Sequence, residues 1–182
     1  MAFGKNCKFI FAIIPLVILT LLLDTGQCFV PKEYEIKAAF IAQFVPFVKW
    51  PDSAHSDRPF IFAVVGEDPF GNALRPVEKE KFKGRKAKLK YFRSWKDLSR
   101  NIDVLFISRS EQNHIKEILE KIKGSPVLTV SDIRGFAKDG GMIEFVNRDG
   151  TIHFIINIAA VKKAGLEMNF QLLELADKVL GK

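Results

Sequence analysis

Cysteine is almost absent: Cys7 and Cys28 are the two in 182 residues. Both fall in or at the end of an N-terminal apolar segment, so a chain beginning at Phe29 has none. That excludes disulfide staples and thiolate metal sites from the mature domain, whose stability must come from its apolar core. Histidine is nearly as sparse. His55, His114 and His153 have no second histidine at ligand spacing, so the sequence offers no metal centre and calls for no cofactor. No Gly-x-Ser-x-Gly elbow and no glycine-rich phosphate loop occur. A hydrolase would have to be assembled from Ser108, Ser110, Ser131 and Asp132 with a remote histidine, and the sequence is read as non-enzymatic. Repeats and low-complexity tracts are also missing, which leaves one domain of ordinary size.

What is present begins with an address. Phe9 to Leu23 carries no charge, and Lys5 and Lys8 precede it. This is the order of charge and hydropathy in a secretory signal. The run is shorter than the roughly 20 apolar residues a spanning helix needs, and Pro15 interrupts it, so cleavage is expected rather than permanent anchoring. Gly26 and Cys28 supply the small residues before a cut at Phe29, which assigns residues 1–28 to the signal peptide and 29–182 to an exported domain that works outside the cytoplasm. Cys28 keeps a second reading open, because a cysteine closing an apolar leader can accept lipid. Gln27, bulky and polar, argues against lipidation.

The mature chain reads as strand, helix, strand, helix, strand, followed by a hairpin and two helices. Glu33 to Trp50 has apolar residues at helical spacing nearly all round, predicting a deeply buried helix kinked at Pro46. Phe60 to Val65 is a short apolar run ended by Gly66, the pattern of a strand buried on both faces. Asp68 and Pro69 form a cap and first-turn pair that predicts a helix to about Lys79. Lys86, Lys88 and Lys90 alternate with Ala87, Leu89 and Tyr91 in a strand over Arg85 to Phe92 with one wet face, suited to an edge. Asp103 to Ser108 and Pro126 to Val130 are further buried strands, with an amphipathic helix over Ser110 to Lys123 between them. Asp149-Gly150 joins Met142 to Val146 and Thr151 to Asn157 as a hairpin. Helices over Ile158 to Ala164 and Asn169 to Val179 close the chain. The fold class expected is α/β, a mostly parallel central sheet with flanking helices, a C-terminal β-hairpin and two closing helices.

Two loops fall at the carboxyl edge of that sheet, where open α/β sheets bind ligands. One contains Glu67, Asp68, Pro69 and Phe70, and the other Asp132 and Arg134. Arg134 suits a carboxylate or phosphate. With His153, these are the candidate ligand- or partner-binding residues, and a small anionic molecule is the ligand class they suit. The net charge of +7 is compatible with such a ligand. Lys79 to Lys90 holds seven basic residues, but few aromatics stand near them and the alternation explains them as a solvated edge, so nucleic acid is not an expected partner. Phenylalanine is abundant, at 17 residues, and is read as core packing. Phe70 and Trp50 are the aromatics expected to stay partly exposed.

Taken in order, KAAFIAQFVPFVKWP (37–51), VVGEDPFG (64–71), VLFIS (104–108), PVLTVSDIRGFAKDGGMIEFV (126–146) and IHFIINIAAVKKAGLEMNFQLLELA (152–176) resemble the YfiR family of exported proteins. The resemblance implies a periplasmic, dimer-forming α/β protein. Its implied role is to bind the periplasmic sensor part of an inner-membrane diguanylate cyclase and hold the enzyme inactive, which limits cyclic di-GMP and biofilm formation. Glu144 stands where the family usually has asparagine. Met168 to Gln171 replaces a serine-rich turn bearing a lysine or arginine, and the cysteine pairs of some members are missing. The alternative reading is a periplasmic small-molecule receptor acting with another membrane signalling or transport protein.

Overall fold

The computed structural model describes residues 32–51 and 58–181. The export segment with Cys28, and His55, lie outside the described residues. The domain is a three-layer α/β structure built on a mostly parallel eight-stranded sheet.

Helix α1 (Lys32–Phe44) opens with Glu33 and Glu35 in its first turn, where carboxylates complement the free amides of a helix start. It is shorter than the expected helix. The chain tightens into a 3-10 turn at Val45–Phe47, with Pro46 in its first positions, and then enters the two-residue strand β1 (Val48–Lys49). The reason is Pro46, which cannot supply the amide that would continue an α-helical ladder.

The central strands are β2 (Phe60–Val65), β4 (Arg85–Phe92), β5 (Val104–Ile107) and β6 (Leu128–Ser131), preceded at the rim by the two-residue β3 (Lys81–Phe82). β2 pairs in parallel with β4 and β5, and β5 with β6. Every residue of β2, β5 and β6 is buried, as their unbroken apolar runs require of strands covered on both faces. β4 keeps Lys86, Lys88 and Lys90 in solvent, and β3 pairs antiparallel on its outer side. Between β5 and β6 the chain makes a 3-10 turn at Arg109–His114 before α2 (Ile115–Lys121).

β7 (Ile143–Arg148) and β8 (Thr151–Asn157) form the expected hairpin. Asp149 and Gly150 both have positive φ, at 51° and 82°, the conformation that a two-residue hairpin turn demands and that an Asp-Gly pair supplies. Helix α3 (Ile158–Lys163), strand β9 (Glu167–Met168), helix α4 (Phe170–Leu175) and strand β10 (Lys178–Leu180) complete the chain. β9 pairs with β1. β10 lies parallel to β8, so the expected terminal helix to Val179 is cut at Leu175 and its end is a strand. The ladder to β8 gives these backbone groups partners that a fraying terminal helix would leave to water.

Two other expectations are overturned. No α-helix follows Asp68. Asp68 Oδ1 instead accepts from the Phe70 amide at 2.9 Å, a local turn that competes with helix initiation, and a 3-10 turn forms only at Arg75–Lys79. Phe70 and Trp50 are core residues, at 0% and 3% exposure. Phe70 turns edge-on to Phe106 at 4.6 Å, and Trp50 edge-on to Phe60 at 5.4 Å.

The sheet separates two apolar layers. Ala38, Ile41 and Phe44 of α1 cover one face, with Phe62, Phe106, Phe145 and Phe154. Ile115, Ile118 and Ile122 cover the other, with Ala63, Leu105 and Phe136. At the sheet's amino edge, Asp103 accepts from Arg58, Arg85 and the Ile61 amide at 2.6–3.0 Å, so its buried charge is fully paired.

Backbone approach is closest at Gly141, where a β-carbon would lie 2.2 Å from the buried Phe136 ring. Gly141→Ala is therefore expected to destabilise the domain by about 1–3 kcal/mol through overpacking. Urea unfolding should show a lower midpoint at an unchanged slope; an unchanged midpoint would refute the close approach.

Candidate functional site

β2 is followed by Gly66, whose φ of +92° turns the chain off the sheet; a β-carbon here would stand 2.3 Å from Ser110 Oγ. The Glu67 amide donates to the same hydroxyl at 2.9 Å. The loops after β2 and β5 are thereby joined, with glycine required by both the dihedral and the contact. The loop after β6 is secured in another way. Ser131 Oγ donates to the Ile107 carbonyl at 2.7 Å and accepts from the Ile133 amide at 3.1 Å. The buried Glu144 carboxylate accepts from the amides of Gly135 and Ala137 at 2.9 and 3.0 Å. Glu144 is thus a brace for the 132–137 loop.

The start of α1 lies over these loops and delivers two side chains to Asp132. Lys37 Nζ donates to Asp132 Oδ2 at 2.6 Å and the Tyr34 hydroxyl donates to the same oxygen at 2.9 Å. Arg109, from the loop after β5, approaches it at 3.1 Å. Lys37 also pairs with Glu33, whose second oxygen accepts from Asn147 at 2.8 Å. The Lys37 side chain is 1% exposed and that of Asp132 2%, whereas that of Arg109 is 62% exposed. Two cations and two carboxylates therefore balance in a cluster with one solvent-facing member. Asp132 Oδ1 is buried and has no hydrogen-bond partner among the described residues, although a carboxylate oxygen accepts readily.

The environment shifts two of these groups. Burial, then the charge and hydrogen bond of Asp132, push the Tyr34 hydroxyl up to about 12. For Glu33, burial acts upward, but the hydrogen bonds from Lys37 and Asn147 and the charges of Lys37 and Arg109 outweigh it and hold the carboxyl below its ordinary value. Tyr34 also meets Phe70 edge-on at 5.5 Å, so one tyrosine touches both of the loops expected to form the site.

The sequence-predicted residues divide accordingly. Asp132 is the centre of the cluster and Phe70 its apolar floor, with half-buried Pro69 beside it. Glu67 and Asp68 are exposed and line an adjoining open groove of about 790 Å³ with Arg75, Tyr91 and Arg93. Arg134 points to solvent, and Arg109 holds the carboxylate instead. His153 is not brought to the cluster. It contacts Asp177 at 2.8 Å, and Asp177 pairs with Arg148 at 2.7 Å. Glu33, Tyr34, Lys37 and Arg109 are not among the residues the sequence marks. Lys37 did carry a signal: a lone lysine among Ile36, Ala38, Ala39 and Phe40 must find a carboxylate if that helix is buried.

A family model described as YfiR/HmsC-like matches residues 34–177. Among solved structures, a conserved domain protein from Vibrio cholerae is 11% identical with a TM-score of 0.56, covering 80% of this chain and 60% of that one. The ABC domain of Streptococcus pneumonia in complex with L-Trp is 13% identical with a TM-score of 0.52, covering 81% and 60%. The chain thus spans about 60% of the length of either structure, and at these identities the likeness is one of fold alone. No curated protein matches the sequence. Among the described residues, no helix is long and apolar enough to cross a membrane.

Two measurements test the cluster. Lys37→Met leaves Asp132 without its buried partner and is expected to cost about 3–5 kcal/mol. Lys37→Met with Asp132→Leu should recover much of that loss, and simple additivity in the double-mutant cycle would contradict the pairing. Because the folded Tyr34 hydroxyl holds its proton up to about 12 against an ordinary 10.0, the unfolded chain ionises first. Stability should then be full below about pH 10 and decline toward about pH 12. In Tyr34→Phe that part of the decline should vanish, and a stability profile identical to wild type above pH 10 would remove the assigned hydrogen bond.

Proposed function

The chain belongs to the YfiR/HmsC-like family, and on that premise we propose that it is an exported, non-enzymatic regulator of a membrane signalling protein. The partner is the periplasmic sensor part of an inner-membrane diguanylate cyclase, which the regulator holds inactive to keep cyclic di-GMP low. Residues 1–28 serve as the cleaved export signal, and the working form is a homodimer. The observation that carries this reading is the family match from Tyr34 to Asp177, which takes in Tyr34, Lys37, Arg109 and Asp132 of the carboxyl-edge cluster and the braces around it.

The physical mechanism is a population shift. A protein that binds only the inactive conformation of a sensor stabilises that conformation by its differential affinity. The cluster at Asp132 suits such conditional binding, since Arg109 is exposed and held by one contact while Lys37 and Asp132 are buried.

A second reading, a receptor for a small anionic molecule, is favoured by one observation: the Arg109 guanidinium beside Asp132 is 62% exposed and held there by a single ion pair. A ligand with one anionic group would match it.

Removal of the gene is expected to raise cellular cyclic di-GMP several-fold, with the level restored by the wild-type chain supplied in trans. An unchanged level in a strain that encodes a cyclase beside this gene would refute the regulator reading. The receptor reading predicts instead a ligand-induced rise in melting temperature that Arg109→Ala abolishes.

A further inference from the structure

A cavity away from the carboxyl-edge cluster arises from the way the sheet is built. β6 pairs with β5 along four residues, from Leu128 to Ser131, but with β7 at only Val130 and Ser131. The lower half of β6 therefore has no neighbouring strand on that side. The hairpin ends short of it: the Asn157 amide closes on the Met142 carbonyl at 2.8 Å, and the Met142 amide donates to Thr129 Oγ1 at 3.1 Å in place of a ladder bond. α2 and α3 stand on either side of this notch without filling it.

The result is a cavity of about 480 Å³, within the range of about 300–1,000 Å³ in which proteins hold small molecules. Its floor is mostly apolar, with Ser125, Thr129 and Asn157 as its polar members. Ile122, Val127 and Met142 are buried there, and Leu119, Ala160 and Ala164 extend the lining. The charge is at the opening, where Lys116, Lys123 and Lys163 face Glu120 and Asp139. Glu120 engages Lys123 at 2.8 and 3.2 Å. Lys116 stands as a cation on one wall and Lys163 on the other, where its charge also acts on Glu120; with Asp139 counted, the opening carries one positive charge in excess.

We propose that this notch binds a single-chain amphipathic anion, with an aliphatic tail on the floor and a carboxylate between Lys116 and Lys163. The apolar floor gains from burial of the tail in proportion to the area removed from water. The two lysines select for an anionic head, because an ammonium head would meet like charge at the rim. The occupant is a free acyl chain, since the cavity is set between two helices of the domain and has room for one tail.

Dodecanoate, kept below its micelle concentration, is the probe. It should raise the melting temperature of the full mature protein and bind in titration calorimetry, whereas dodecyltrimethylammonium, with the same tail and the opposite head, should do neither. Leu119→Trp, which fills the notch, should lose the shift. Lys116→Glu combined with Lys163→Glu, both exposed positions, should keep the fold and weaken dodecanoate by about tenfold or more. The proposal is overturned if dodecanoate leaves the folded wild type unshifted or if the cationic probe binds as well. It is also overturned if the double lysine variant keeps full affinity, or if anionic phospholipid vesicles bind while free dodecanoate does not.

Discussion

The buried pair of Lys37 and Asp132 is the constraint around which this domain is arranged. An ammonium removed from water loses more than one ion pair returns unless its geometry is tight and its remaining valences are met. Here the contact is 2.6 Å and Glu33 supplies a second carboxylate. The two partners are 95 residues apart, so satisfying them fixes the rotation and height of α1 over the carboxyl edge of the sheet. Once α1 is set there, Ala38, Ile41 and Phe44 meet the aromatic face of β7 and β8, and Tyr34 is delivered between Phe70 and Asp132. A shift of one residue along the helix would expose the apolar stripe and strand the lysine in the core.

The same economy of contacts explains the irregular elements around the cluster. The Phe70 ring is needed as an apolar floor against Phe106 and Tyr34, and that requirement outweighs the helix propensity of the segment after Asp68. Glu144 holds two loop amides, one partly and one fully buried, that would otherwise lack acceptors. Each of its two carboxylate oxygens serves one amide, which an asparagine with a single carbonyl oxygen could not do, so the brace of the 132–137 loop uses the whole carboxylate. At the opposite edge, Asp103 plays a comparable part between two arginines, but entirely within the framework.

Much of the fold was legible because its signals are local. Phe60 to Val65 is apolar without interruption and bounded by Gly66, and Asp149-Gly150 can form a two-residue turn whatever surrounds it. What escaped depended on contacts between distant segments. The end of the chain reads as a continuing helix until β8 is available to pair with Lys178–Leu180. Trp50 looked exposed because it precedes a polar loop, and only Phe60 across the core shows why it turns inward. The site was half legible for the same reason. Asp132 and Phe70 lie in loops whose position at a parallel strand's carboxyl end marks them. Tyr34 and Lys37 lie in a helix that periodicity assigns wholly to packing, and nothing in the sequence favours Arg109 over Arg134, its counterpart in the neighbouring loop.

The energies within the cluster differ enough to say which part can move. Separating Lys37 from Asp132 would leave two charges in a dry interior, a cost of several kcal/mol that a binding partner can rarely overcome. The Arg109 contact is of another order, since a guanidinium that is 62% exposed is screened by water and held by about 0–1 kcal/mol. A ligand carboxylate or an acidic side chain on a partner protein can therefore take Arg109 from Asp132 while Lys37 and Tyr34 keep that oxygen satisfied. The buried pair is the fixed point, and the arginine is the arm that can be drawn outward without unfolding anything. The regulator proposed for this fold would need such a division, because a contact too strong to break carries no information and one with no anchored counterpart has nothing to return to.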